Sequence, residues 1–153
     1  MRTNEIRREF SPLKWNCNTH MQTCFPAIFT PTAKTRLCWE ELNLPDGDFL
    51  DCCWAGGTTG PIVIMLPGIE GSVYSHYIQS SIDDFVAQGW RVLVMHMRGC
   101  GGRINRLRRA YHSGDTQDLA FLIQTLTRRY PRARLLLLGF SLGSSIRDRK
   151  SVV

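Results

Sequence analysis

Gly139-Phe140-Ser141-Leu142-Gly143 follows directly on the apolar run Leu135-Leu136-Leu137-Leu138. This order reads as a G-x-S-x-G nucleophile elbow, a tight strand-to-helix turn that holds a serine hydroxyl clear of a sheet edge. The glycines have a physical role. The turn forces an unusual backbone conformation at the serine, and side chains at either flank would collide with strand and helix. Any loop rich in Gly and Ser can match five such residues. The specificity comes from the setting, a buried-type strand before the turn and a helix-compatible start after it.

Upstream, two more continuous apolar runs have the character of strands buried on both faces: Ile62-Val63-Ile64-Met65-Leu66 and Val92-Leu93-Val94-Met95. Between them Tyr77, Ile78, Ile82, Phe85 and Val86 fall at helical spacing, and Gly89 ends that helix. Leu119, Leu122, Ile123 and Leu126 form the face of a second helix, with Ser113 as its expected N-cap and Pro131 beyond its end. Strand, helix, strand, helix, strand is the βαβαβ pattern of a parallel sheet covered on both sides. Ahead of it Thr35 to Leu44 and Phe49 to Trp54 read as an antiparallel hairpin turning at Pro45-Asp46-Gly47-Asp48. Residues 1–34 are irregular and proline-punctuated, with a short helix expected near Asn18. The fold class is α/β, with the organised domain expected over 35–146 and a divergent charged tail over 147–153.

Bulk properties narrow the function. A chain of 153 residues suits one domain with a real core. Hydrophobic content of 43% and charged content of 21% argue against global disorder. The formal charge of +6 is concentrated in Arg103, Arg106, Arg108 and Arg109 and in Arg128, Arg129, Arg132 and Arg134. With no nucleic-acid motif beside them, these read as a solvated basic surface, and no nucleic-acid partner is expected. The six cysteines (Cys17, Cys24, Cys38, Cys52, Cys53 and Cys100) contain no C-x-x-C pair, and Cys52 and Cys53 would point to opposite faces of a strand. Reduced thiols in a cytoplasmic protein are the expectation, with no zinc site. Met1 to Phe10 lacks the apolar stretch of a signal peptide, and no run is long enough to span a bilayer.

Two further loops follow the buried strands. Leu66-Pro67-Gly68-Ile69-Glu70-Gly71-Ser72 can offer a backbone N–H to an oxyanion, with Leu142, the residue after the serine, giving the partner N–H. His96-Met97-Arg98-Gly99-Cys100-Gly101-Gly102 has the wrong spacing for a dinucleotide fingerprint. His96 stands where α/β sheets bind ligands, yet a structural role for it is favoured over a chemical one. Cys100 has no recognisable partner base and ranks low as a nucleophile.

Several islands together resemble the YheT-like branch of the alpha/beta hydrolases, bacterial relatives of the eukaryotic abhydrolase lipases. They are Asn18-x-His20-x-Gln22-Thr23, Leu44-Pro45-Asp46-Gly47-Asp48-Phe49, Gly68-x-Glu70-Gly71-Ser72 and Arg98-Gly99-Cys100. Asn105-Arg106, Tyr111-His112-Ser113-Gly114 and Gly139-x-Ser141-x-Gly143 continue the series in family order across about residues 10–146. The resemblance implies a partial alpha/beta-hydrolase fold and hydrolysis of carboxylic esters, with short-chain esters or monoacylglycerols as substrates. Ser141 would be the nucleophile and the Leu142 and Ile69 amides the oxyanion donors, with no cofactor or metal.

The departures from the family are as informative. In these hydrolases the triad runs Ser, then Asp or Glu, then His. Here His20, His76, His96 and His112 all precede Ser141. The residues after Ile146 (Arg147-Asp148-Arg149-Lys150-Ser151-Val152-Val153) are charged where the family has an apolar helix. The expectation is a truncated or frame-shifted N-terminal half, inactive as written, with Leu135 to Leu138 as an exposed apolar edge. The rival readings are a non-catalytic binding module using the basic face from Arg103 to Arg109, and one part of a split enzyme completed by a complementing C-terminal half.

Overall fold

Seven-residue strands β1 (Leu37–Asn43) and β2 (Phe49–Ala55) form the hairpin. Its turn is closed by the Leu44 N–H on the Asp48 carbonyl at 2.8 Å, with Gly47 at a φ of 89°. There follow β3 (Ile62–Leu66), α1 (His76–Ala87), β4 (Arg91–Met95), α2 (Gln117–Arg129), β5 (Leu135–Gly139) and α3 (Leu142–Asp148). This computed structural model describes residues 33–112 and 116–148, all within the compact unit Pro31–Val153. The expected helix near Asn18 and the cap residue Ser113 lie outside the described residues. Helix α2 runs from Gln117, with Thr116 at its N-cap position.

The five strands form one sheet in the order β1-β2-β4-β3-β5. Strand β4 is parallel to β3, and β3 is parallel to β5, as βαβ crossovers require. The hairpin is not a separate layer. Its β2 pairs antiparallel with β4, Cys52 opposite Met95, so the sheet is mixed and continuous.

Alternation along the strands divides the core in two. Ile62, Ile64, Leu66, Leu93 and Met95 meet Leu119, Leu122 and Leu126 of α2 on one face. Val63, Met65, Val92 and Val94 meet Ile78 and Ile82 of α1 on the other. Cys52 lies in the first cluster and Cys53 in the second, as expected of adjacent strand residues. Both are free thiols, and burial pushes their pKa values up, to about 12 and about 11 respectively. A thiol so hard to ionise is a poor nucleophile or metal ligand. Among the described strands β5 bonds β3 alone, and its Leu136 is 42% exposed, so the expected apolar edge is present. No helix among the described residues is long and apolar enough to cross a membrane.

Candidate active site

Because β3 and β5 are parallel neighbours in register, their carboxyl ends, Leu66 and Gly139, emerge side by side. The Phe140 N–H still bonds the Leu66 carbonyl at 3.0 Å, one residue past the strand. The chain then reverses at Ser141, whose φ of 52° lies in the left-handed region. A non-glycine residue held there costs of order 1–3 kcal/mol, a strain that persists only where the surroundings enforce it. The enforcing bonds run from the Gly143 N–H to the Phe140 carbonyl at 2.9 Å and from the Ser144 N–H to the Ser141 carbonyl at 3.0 Å. The Ser144 hydroxyl adds a 2.5 Å bond to the Gly139 carbonyl.

Both glycines are required by contact. A Cβ on Gly139 would stand 2.6 Å from the Gly143 carbonyl, and one on Gly143 would meet the Leu66 carbonyl oxygen, with the Leu66 Cβ at 2.8 Å. Helix α3 therefore begins directly against the end of β3. Ser141 is exposed at the tip, and Leu142 opens the helix half-buried.

The loop after β3 folds against this tip. Gly71 N–H donates to the Gly68 carbonyl at 3.0 Å, and Glu70 takes a φ of 54°. A Cβ on Gly68 would be 3.4 Å from the Ser141 Cβ, so the loop carrying Ile69 lies beside the serine. Tyr77, early in α1, lies between loop and elbow. Its hydroxyl accepts the Gly68 N–H at 3.0 Å, and its ring centroid is 4.8 Å from that of Phe140. The structure thus brings Ser141, Leu142 and the Ile69 loop to one corner of the sheet. The Ser141 hydroxyl makes no hydrogen bond among the described residues, so none of their histidines is paired with it.

His96 is fully buried and structural. Its Nδ1 lies 2.8 Å from the Asp51 carbonyl and its Nε2 accepts the Val73 N–H at 2.9 Å. A carbonyl can only accept, so Nδ1 carries the proton and the ring is neutral. Burial holds its pKa below the ordinary histidine value, although the Asp51 carbonyl and charge oppose this. The unfolded chain therefore binds more protons below about pH 6.5. Stability contributed by the neutral ring is complete above that pH and is lost as pH falls from there through the folded pKa. We expect urea midpoints to drop across this window in the native chain and to flatten in His96→Gln. An equal slope in both would refute the assignment. Cys100, half-buried, has its thiol pKa pushed up by burial against a hydrogen bond from Tyr111, which removes it further as a nucleophile.

The sequence reading overlooked a buried ion cluster one strand away. The Arg98 Nε and Nη2 donate to both Asp118 oxygens at 2.7 Å, and Nη1 reaches Asp46 at 2.9 Å and Asp48 at 3.0 Å. The Arg98 side chain is 2% exposed, that of Asp48 is 0% and that of Asp118 is 10%. Asp48 also accepts from Asn105 Nδ2 at 2.9 Å and from the Arg106 N–H at 3.0 Å. The hairpin turn, the segment after β4 and the first turn of α2 are thereby tied at one point. Asp48 and Arg98 both sit in family-like islands, but Asp118 carried no signal beyond its place in a helix.

The basic face is largely answered by acids. Arg103 pairs with Glu41 and Asp51, Arg106 with Glu41, and Arg109 with Asp46. Arg103, Arg106 and Arg109 thus face carboxylates of the hairpin, which lowers the surplus charge there. Among the described residues no group of three His, Cys, Asp or Glu side chains is placed to hold a metal ion.

Comparison with known proteins agrees with this geometry. Over 142 residues the chain is 37% identical to the putative esterase YheT of Escherichia coli (strain K12), covering 90% of this chain and 42% of that protein. It is 26% identical over 150 residues to human phospholipase ABHD3, covering 92% of this chain and 37% of that one. The chain thus spans about two fifths of the length of these curated relatives. The Pyrococcus furiosus esterase Pf2001 superposes with a TM-score of 0.64 at 25% identity, over 77% of this chain and 48% of its own. The model of the alpha/beta hydrolase fold family matches residues 61–146, with β3, the turn at Ser141 and both crossover helices inside the match, and the chain belongs to that family.

Proposed function

We propose that this chain carries the nucleophile and oxyanion side of a serine hydrolase acting on carboxylic esters, short-chain esters or monoacylglycerols. The observation that carries the reading is Ser141 at a φ of 52° on an exposed tip, with the Gly68 loop against its Cβ. A serine so placed can approach an acyl carbonyl from one side while backbone N–H groups of Leu142 and Ile69 receive the developing oxyanion. In the reaction the Ser141 Oγ bonds the carbonyl carbon, its proton passes to a base, and the alcohol leaves with a proton. Water then releases the acid from the acyl-enzyme. Relatives that share this architecture include proteins described as a monoacylglycerol lipase and a putative esterase, which supports the substrate class.

The base is the part not provided by the described residues. Without a histidine bonded to Ser141, turnover of the chain alone is expected several orders of magnitude below that of a complete triad.

The test is labelling with a fluorophosphonate ester probe. We expect a single adduct on Ser141, absent from Ser141→Ala, and accelerated about tenfold or more by added imidazole acting as an external base. A label that persists in the variant would refute the nucleophile. Fast labelling indifferent to imidazole would refute the missing base.

A further inference from the structure

Three consecutive N–H groups in the loop after β3 have different fates. Gly68 N–H donates to the Tyr77 hydroxyl at 3.0 Å. Glu70 N–H donates to the Tyr111 hydroxyl at 3.1 Å. Ile69 N–H, between them, has no acceptor among the described residues, and the Ile69 side chain is 67% exposed. Amides of successive residues in a tight turn compete for the same acceptors, and a loop free to rock would let any of the three turn inward or toward water. Here two phenols from different parts of the chain engage the flanking pair.

The two tyrosines are held by different elements. Tyr77 belongs to α1, where its ring lies against Phe140, the residue before the nucleophile. Gly71 makes room for it, since a Cβ there would come 2.5 Å from the Tyr77 hydroxyl and 2.8 Å from the Pro67 Cβ. Tyr111 lies at the end of the long segment after β4, where it packs, half-buried, against the core cluster on the α2 side of the sheet. The sequence separations are 9 and 41 residues, so the bracket exists only in the folded sheet.

Resting on the reading of Ser141 as nucleophile, we propose that Tyr77 and Tyr111 are positioning residues that occupy the N–H groups of Gly68 and Glu70. The Ile69 N–H is thereby left as the single unspent donor of this loop, aimed at the oxyanion. Neither phenol touches the reacting atoms in this scheme. They act by fixing the peptide planes on either side of Ile69, which spares the loop a reorganisation when charge develops. Tyr77 has the larger share, because it also touches the elbow through Phe140 and so sets the distance between donor and nucleophile.

The experiment combines two readouts on the full chain and on Tyr77→Phe and Tyr111→Phe, which keep the rings. Residue-resolved amide exchange by NMR should show Gly68 and Glu70 protected and Ile69 exchanging freely. Tyr77→Phe should speed exchange at Gly68 about fivefold or more while sparing Glu70, and Tyr111→Phe should do the reverse. The maximal rate of fluorophosphonate labelling at Ser141, measured with imidazole present, should fall about tenfold in Tyr77→Phe and less in Tyr111→Phe, with the probe's half-saturating concentration little changed. A protected Ile69 amide, or exchange indifferent to both substitutions, overturns the bracket. Altered exchange with unchanged labelling overturns the positioning role. Expected exchange in a chain that never labels at Ser141 upholds the bracket and refutes the hydrolase reading instead.

Discussion

Arg98→Ala is expected to lower the free energy of unfolding by about 3–5 kcal/mol, the range for removing one partner from a buried ion cluster. The loss follows from what remains. Asp48 is wholly buried, and its carboxylate and that of Asp118 would keep their desolvation cost without the guanidinium that offsets it. Arg98→Lys should recover little, because one ammonium cannot reproduce the paired bonds to Asp118 together with the reach to Asp46 and Asp48. Urea unfolding is the measurement, and a change in midpoint below that for 1 kcal/mol would show the cluster to be solvated in solution. The same cluster gives acid sensitivity. Burial opposes ionisation of Asp48, but hydrogen bonds from Asn105, Phe49 and Arg106 and the charge of Arg98 outweigh it and hold its pKa below the ordinary aspartate value. Stability from this carboxylate is therefore present above about pH 4 and is lost as pH falls through the lower folded pKa.

Gly143→Val is the second large expectation, about 3 kcal/mol at the upper end of overpacking costs. Even the first carbon of the new side chain would meet the Leu66 carbonyl oxygen and lie 2.9 Å from the carbonyl carbon. Both are backbone atoms of the interior strand β3, which is bonded on both sides and has little freedom to yield. The helix must instead move away from the strand, carrying Leu142 with it. Stability and Ser141 labelling should therefore fall together. A variant as stable as the native chain would mean that α3 is not seated on β3 in solution.

Much of the architecture was legible because its causes are local. Ile62 to Leu66 and Val92 to Met95 are unbroken apolar runs, and both proved fully buried strands with alternate residues assigned to opposite cores. Gly89 beyond α1 takes a φ of 79°, the conformation that ends helices at glycine. The structural reading of His96 also held, although its partners, the Asp51 carbonyl and the Val73 N–H, could not be named from residue order. The start of α2 was not fixed by residue order, because more than one Ser or Thr stands ahead of its apolar face, and only the folded chain shows the helix running from Gln117 with Thr116 before it. Basic residues were the least legible. Arg103, Arg106 and Arg109 read as a surplus of charge, yet the hairpin presents Glu41, Asp46 and Asp51 to them.

By itself the sequence determined the elements and the tight turn at Ser141, since strand period, helix period and the steric demands of closely spaced glycines act over a few residues. The tertiary structure alone decided the order β1-β2-β4-β3-β5, the partners of Arg98 and which N–H groups of the loop at Ile69 are bonded to tyrosine hydroxyls. Those outcomes depend on groups distant in the chain, such as Arg98 and Asp48 at a separation of 50 residues, finding each other in the fold. A side chain's type states what it can bond, but burial and strand order decide which bond it makes.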